Sequence, residues 1–563
     1  ARRKELQTLW AELQEFSRRH AEEVEFYLWG FDPAEFGELH CPTFSRPFDY
    51  SYERYLTAIR EEQFDYVVCP LFPDHDVKIS KSPIKYLEAV AAGAVGIFSD
   101  SPVYRRVIED GLNGYLTADD RWLEALERAF ATADEERMAM FAAAKAHALA
   151  RFTTESQVLE YLSAFEAARL HAELRSHAAE GGKARVAYFI HESALGGATL
   201  HIMRHAAIAR QYGFEPVLVF PAGPVAEEAQ RFARQRGLAF TGLPFRVTTH
   251  RREPDAGDEA RAGQIGDWLK RENIRLVHAV TYLADVALAA YRLRVPYVNT
   301  LHQHYPAPSA AKGTRLVSVV HSSSLRYAQA WQQELGAPAY TLRAPVESSY
   351  FEQYLERQER AVGRPPTFLL SGTLQPRKGH LAAIRAIGRL RQAGIAARLL
   401  LVGYDIFVPQ YVEECRKAIR GLRLEDAVTI TGFTERPGEY FEQADFMLCA
   451  SEEESMPQTI LQAMAAGMVV VSTPVGGVSE LVLDGFSGIM AAGSEEEAIA
   501  EAMRRAIELS GEQRAAMVRS AHQTARMVCS EEVVSYQLLK LYNAAVRENQ
   551  RVHGSNHPPY EQG

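Results

Sequence analysis

The sequence predicts an α/β protein with parallel sheets, and three observations predict it. Short apolar runs alternate with helical stretches of roughly 10–20 residues, the order expected of strands joined by crossover helices. The chain has 563 residues, room for three to four domains at roughly 150 residues each. Its C-terminal part repeats its N-terminal part at a nearly constant offset.

The strand candidates are FDYVVCPLF (64–72), RVAYFIHE (185–192), PVLVFPA (216–222), RLVHAV (275–280), TFLLSG (367–372), RLLLVG (398–403) and DFMLCA (445–450). Such continuous apolar runs suit parallel strands covered on both faces. The segment AAEGGKAR (178–185) reads as a linker, and HGSNHPPYEQG (553–563) has loop composition. The predicted divisions are therefore 1–177, a linker at 178–184, 185–355, 356–545 with C-terminal helices, and a flexible tail at 546–563.

The repeat is specific. KYLEAVAAGAVGIFSDSPVYRRVIEDGLNGYL (85–116) aligns with TILQAMAAGMVVVSTPVGGVSELVLDGFSGIM (459–490). Gly93, Asp110, Gly111 and Gly114 pair with Gly467, Asp484, Gly485 and Gly488, all at an offset of 374 residues. Gly30 pairs with Gly403 at 373. A repeat this long is a whole module rather than a solenoid unit. The counterpart of the strand Thr367–Gly372 would precede Ala1. The expectation is that the natural polypeptide extends upstream and supplies the rest of a first module.

Composition excludes some classes. Lys+Arg total 62 and Asp+Glu total 72, a net charge of −10, unlike the basic surface of a general nucleic-acid binder. Cys41, Cys69, Cys415, Cys449 and Cys529 are scattered, with no CxxC pair. That argues against a disulfide framework or a cysteine zinc site, and for a reducing compartment. No run reaches the ~18 apolar residues of a membrane helix. The expected location is cytoplasmic, with contact at the inner face of the membrane left open; RRKELQTLWAELQEFSRRH (2–20) has basic ends.

Chemistry concentrates in two segments of the second copy. SGTLQPRKGH (371–380) follows a strand and opens a helix. Gly372 permits close approach of a ligand to the backbone. Arg377 and Lys378 add two cations to a helix N-terminus, which suits a diphosphate. The same pair read alone is equally a solvated one. In CASEEESMPQTILQAMAAG (449–467) a strand ends in acidic residues and a small-residue helix begins near Pro457. Glu454 then sits at the carboxyl end of a parallel strand, where open α/β sheets bind ligands. Gln462 lies about two turns further on, roughly on the same face. Glu452 and Glu453 read as dipole-complementing residues.

These segments, in order, resemble the retaining GT-B glycosyltransferases of the large family-4 type. The likeness rests on GGATLHIMRHA (196–206), RAPVESSYF (343–351), SGTLQPRKG (371–379), LLVGYD (400–405), ITGF (430–433), ASEEESMPQTILQAMAAG (450–467) and TPVGGVSELVLDGFSG (473–488), across about 184–545. The resemblance implies two facing Rossmann-like domains, with a nucleotide-sugar in the C-terminal one and a glycan or lipid-linked acceptor in the other. It implies that Arg377 and Lys378 meet the diphosphate and that Glu454 meets the donor sugar. Gly372, Gly432, Phe433, Ser455, Met456 and Pro457 would complete the donor side. Where the family's second Glu grips ribose, this chain has Gln462, a neutral donor–acceptor. Gly196, Gly197 and His302 fall on the acceptor side; His304 is a weaker candidate. The implied reaction needs no metal and no cofactor beyond the nucleotide-sugar substrate. Asp74-His75-Asp76 spells DxD but reads as a polar loop.

The first copy departs further. Glu88 aligns with Gln462, and Ser80 stands in place of Glu454. Lys78, Lys81 and Lys85 could meet phosphates, and Arg2, Arg3 and Lys4 fall near the absent RKG loop. This half reads as a divergent nucleotide-binding half-module, active or not. Two other readings stay open for the whole chain: a non-catalytic scaffold with degenerate sites, and a nucleotide-sugar epimerase.

Overall fold

The computed structural model describes residues 3–49, 51–71, 82–175, 183–192, 196–246, 256–302, 316–358, 362, 365–403, 408–432, 434 and 437–554. The chain divides into two compact units, Ala1–Thr153 and Thr154–Gly563.

The first unit contains helix α1 (Arg3–Arg19), β1 (Phe26–Trp29), β2 (Thr43–Arg46), α2 (Tyr52–Glu61), β3 (Tyr66–Cys69), α3 (Ile84–Ala92), β4 (Val95–Ser99) and β5 (Tyr115–Thr117). Its strands form two parallel sheets, β1-β2 and β3-β4-β5. Leu9, Trp10, Leu13 and Phe16 follow helical spacing along α1 and bury one face against Leu28, Val95, Ile97 and Tyr115.

The second unit begins with α4 (Thr154–Arg175) and continues through β6 (Arg185–Phe189), α5 (Gly197–Gln211), β7 (Glu215–Pro221), β8 (Ala239–Leu243), β9 (Ile274–Val280), β10 (Tyr297–Thr300), β11 (Val319–Ser322), α6 (Leu325–Leu335) and β12 (Ala339–Thr341). These strands make a seven-stranded sheet of order β12-β11-β10-β9-β6-β7-β8, parallel throughout. A second domain follows, with β13 (Thr367–Ser371), α7 (His380–Gln392), β14 (Arg398–Val402), β15 (Val428–Gly432), β16 (Phe446–Cys449), α8 (Gln458–Ala465), β17 (Val469–Ser472), β18 (Ile489–Met490), α9 (Gly511–Cys529) and α10 (Glu531–His553). Its sheet has the order β15-β14-β13-β16-β17-β18, also parallel. Both are Rossmann-like doubly wound sheets, as predicted.

The first unit's order β2-β1 and β3-β4-β5 matches β15-β14 and β16-β17-β18, without a described equivalent of β13. The turns before β5 and β18 are built alike. Asp110 Oδ1 accepts from the Leu116 amide at 2.9 Å, and Asp484 Oδ1 from the Met490 amide at 2.8 Å. Gly111 and Gly485 both have a left-handed φ, +79° and +73°, which glycine adopts without steric cost.

Two predicted boundaries are corrected. The first unit ends at Thr153, not at 177. Helix α4 buries Ala167, Leu170 and Leu174 among Leu538, Leu541 and Tyr542 of α10. It finds there a partner for an apolar stripe that a linker would leave in water. Helix α10 is neither part of the C-terminal domain nor a flexible tail from 546. It packs into the core under β6 and runs to His553, with Val546 buried. The chain crosses back at Val346 and Ser530, which pair as a parallel bridge. Loop composition starts only at Gly554, where the helix stops.

Candidate active site

In the C-terminal domain, β13 is hydrogen-bonded to β14 on one side and to β16 on the other. The chain reverses its direction of winding there, which opens a crevice beyond the carboxyl ends of β13 and β16. The two loops that line it are pressed together. Gly379 has φ +71°, and a Cβ there would lie 1.9 Å from the Ala450 carbonyl oxygen. Only glycine allows this approach. The Glu452 amide donates to the Arg377 carbonyl at 2.9 Å and ties the loops.

Glu454 lies at the centre. Its carboxylate is buried and accepts from Lys378 Nζ and from Ser451 Oγ, the latter at 3.2 Å. Arg377 Nη1 stands 4.0 Å from the same oxygen and donates to the Glu453 carbonyl at 3.4 Å. The backbone of Glu454 is backed by the loop after β17: a Cβ on Gly476 would lie 1.6 Å from the Glu454 carbonyl oxygen. The Gly477 amide donates to the Ser455 carbonyl at 2.6 Å. Two cations thus flank one fixed carboxylate at the sheet's switch point. The arrangement can take an anion on the Arg–Lys side and hydrogen-bond hydroxyls on the carboxylate.

The other predicted donor-side residues gather around this point. Ser455 and Met456 are buried, and Ser455 Oγ has no partner among the described residues. Pro457 caps α8, and Gln462 is buried within that helix. Gly372 follows β13; a Cβ on Gly403 would lie 2.0 Å from its carbonyl oxygen. Gly403 in turn donates to the Gly432 carbonyl at 2.9 Å, so the ends of β13, β14 and β15 converge. Phe433 lies outside the described residues. His380 is buried at the start of α7, and burial, helped by the charge of Lys378, lowers its pKa to about 4.

Residues 352–524 match the family described as Glycosyl transferases group 1. AmsK of Erwinia amylovora, an amylovoran biosynthesis glycosyltransferase, is 29% identical over 186 residues, 31% of this chain and 45% of AmsK. WcaL of Escherichia coli (strain K12), named for colanic acid biosynthesis, is 25% identical over 220 residues, 38% of this chain and 53% of WcaL. The chain therefore spans about half the length of these curated relatives. Among solved structures, a glycosyltransferase from Rickettsia africae ESF-5 superposes with TM-score 0.56 at 18% identity, over 65% of this chain and all (100%) of that one. Anabaena HepE, solved with UDP and glucose, gives 0.51 at 20% identity, over 66% of this chain and 98% of that one. These likenesses show the fold: the two Rossmann-like domains of the second unit have the GT-B architecture.

The group 1 domain meets the preceding domain through contacts that pattern reading did not find. Gln458, in the first turn of α8, donates to the Gly197 carbonyl at 2.8 Å and accepts from Arg204 Nη1 at 2.7 Å. Gly196 and Gly197, predicted on the acceptor side, therefore sit at the domain junction. A Cβ on Gly196 would lie 2.8 Å from Glu192 Oε1. Glu480 reaches the N-terminus of α6, where its Oε1 accepts from Leu325 at 2.8 Å. These pairs are far apart in sequence and their residue types are ordinary, so no local signal marks them.

His302 lies just past β10, its Nε2 buried without a partner among the described residues. Burial, with the nearby His191, lowers its pKa to about 4. Its ring faces His201 at 5.2 Å between centroids. In the first unit, Glu88 is already engaged: it accepts from Lys85 Nζ, from Tyr55 at 3.0 Å and from Tyr52 at 3.4 Å. Burial and the Glu88 charge push the Tyr55 phenol pKa upward. Lys78, Ser80, Lys81, His304 and the Asp74–Asp76 stretch lie outside the described residues.

Proposed function

We propose that this chain is a glycosyltransferase that moves a hexosyl or related sugar from a nucleoside-diphosphate donor to a glycan or lipid-linked acceptor, with retention of configuration. The observation that carries the reading is Glu454 held between Lys378 and Arg377 at the switch point of the group 1 domain. Arg377 and Lys378 neutralise the departing diphosphate, and such preorganised charge is typically the largest catalytic term. With two cations in place, the donor site has no need of a metal or other cofactor. Glu454 contacts the transferred sugar, and Gln462 the ribose. The acceptor hydroxyl enters from the side of Gly196, Gly197 and His302 and attacks the anomeric carbon on the face the diphosphate leaves; the sugar–phosphate bond breaks and the departing diphosphate takes the hydroxyl proton.

AmsK and WcaL are named for polysaccharide synthesis, which supports that process here, on the cytoplasmic side of the membrane. HepE has been solved with UDP, which puts uridine donors first in a screen. The first unit is a divergent half-module. The engagement of Glu88 by Lys85, Tyr52 and Tyr55 favours a non-catalytic, scaffolding role for it.

Nucleotide-sugars should be screened for thermal stabilisation, then assayed for transfer and slow donor hydrolysis. A donor at about 100 times its Kd adds about 2.7 kcal/mol. An epimerised donor, or no binding to any donor, overturns the reading.

A further inference from the structure

The core beneath the acceptor side holds a buried group of histidines that the proposed reaction does not use. His201 and His205 come from α5, His278 from β9 and His321 from β11, and all four are buried. The ligand atoms of His205, His278 and His321 lie within 4.8 Å of one another. His278 Nε2 and His321 Nε2 are 3.1 Å apart, and Thr300 Oγ1 is 2.7 Å from each. Neither ring nitrogen of His205 has a partner among the described residues. An imidazole always carries at least one N–H, so this ring buries a polar group that hydrogen bonding leaves unused.

We infer that His205, His278 and His321 form a buried site for a divalent first-row metal ion, Zn²⁺ before others. Zinc bound by imidazole has Zn–N distances near 2.0–2.1 Å in a tetrahedron, which separates the nitrogens by about 3.3 Å. The His278–His321 pair is already close to that spacing. His205, whose ligand atom lies within 4.8 Å of the other two, completes it by a side-chain adjustment of at most about 1.5 Å. The fourth position falls to Thr300 Oγ1 or to a water in its place.

The surroundings of His278 fit a ligating histidine, whereas His321 Nδ1 is buried without a partner among the described residues. A metal-bound imidazole normally uses its other nitrogen to hold an outer partner that fixes the ring. His278 Nδ1 meets the Tyr542 hydroxyl at 2.9 Å, and that hydroxyl meets Tyr188 at 2.8 Å. Three imidazoles with neither thiolate nor carboxylate in the set suit zinc, copper, nickel or cobalt better than magnesium or calcium. The ion would staple α5 to β9 and β11 and, through Tyr542, to α10. The inference is independent of the proposed activity, since a chain with no transferase activity could still hold the ion.

The test uses the full chain, stripped by chelator and titrated with ZnCl₂ or CoCl₂ alone. The expected result is about one zinc per chain by elemental analysis and visible Co²⁺ d–d bands. The apparent Tm should rise with free zinc, by mass action on the folded state. His205→Gln and His321→Gln should each weaken retention tenfold or more, while His522→Gln, in the other domain, should keep it. Retention is read on the monodisperse fraction, and the wild-type titration stands whether or not a variant folds. Less than about a tenth of an equivalent bound, with no cobalt bands and no Tm response, overturns the inference. So does undiminished metal in both His205→Gln and His321→Gln.

Discussion

Glu480 caps helix α6 at its N-cap residue Ser324, 156 residues away in sequence: its Oε1 accepts from the Ser324 hydroxyl at 2.9 Å. The same carboxylate takes the Leu325 amide at 2.8 Å, and its Oε2 takes Arg343 Nη2 at 2.8 Å. A carboxylate here satisfies free N–H groups and meets the positive end of the α6 dipole. It comes from the group 1 domain, whereas the helix belongs to the other one, so the cap is also a clasp.

Glu480→Ala should therefore cost more than an ordinary surface change. It strips the cap and leaves the largely buried Arg343 guanidinium, whose pKa burial pulls down, without its carboxylate. The expected loss is about 2–4 kcal/mol, and Glu480→Gln should lose less because it keeps an acceptor. Denaturant unfolding of both variants measures this; equal stability of Glu480→Ala and wild type would contradict it.

Arg377→Ala and Lys378→Ala should each lower turnover roughly 10²–10³-fold, the usual loss for one preorganised group facing a developing anion. Stability should fall less for Arg377, which is half-exposed, than for Lys378, which pairs with buried Glu454. Full activity in both variants would put the diphosphate elsewhere.

Glu454 and Gln462 separate kinetically. Glu454→Gln should lower kcat and kcat/KM together, since its contact strengthens as charge develops on the sugar. Gln462→Ala should mainly raise KM for the donor, because the ribose is the same in ground and transition states. Gln462→Glu should tighten donor binding, as charge-assisted hydrogen bonds are about twice as strong as neutral ones. Steady-state kinetics at fixed acceptor decide; a loss of kcat in Gln462→Ala with none in Glu454→Gln would reverse the roles.

Stability should fall as the solution is made acid. His522 is buried, stacked on Tyr354 at 3.9 Å between centroids, with Nδ1 2.7 Å from the Ala465 carbonyl. Burial lowers its pKa from 6.5 to about 4, so the folded protein keeps it neutral where the unfolded chain takes a proton. Its contribution is complete above pH 6.5 and is lost as pH falls from there toward 4. His380 behaves in the same sense. Each adds up to about 1.4 kcal/mol per pH unit in that window. Urea midpoints at successive pH values should show His522→Gln with a flatter dependence than wild type.

What the sequence made legible is what local chemistry writes. Arg377, Lys378 and Glu454 each follow a strand, which the sequence shows, and they meet because β13 and β16 are neighbours, which only the sheet order shows. Gly93, Gly111 and their partners at Gly467 and Gly485 mark identical left-handed positions, so the repeat shows before any fold does. Glu480 and Gln458 were invisible because their partners lie in another domain. The predicted break at 177 failed because α4 is adjacent in sequence to the first unit, while its buried partners on α10 lie more than 360 residues away. Cysteine spacing gave no hint of a metal, while the histidines that converge come from three elements with no motif between them.

The return of α10 to the first domain of the second unit bears on how the protein is made. Tyr188 and Tyr542, hydrogen-bonded in one core, are 354 residues apart. At about 5–20 residues per second, a ribosome needs roughly 20–70 s to reach the second after the first. During that time the β6 sheet carries an uncovered apolar floor, while the group 1 domain behind it can close on its own strands. Of the second unit's two domains, the one that starts first must finish last, and a chain released short of α10 would present that open floor to chaperones and proteases.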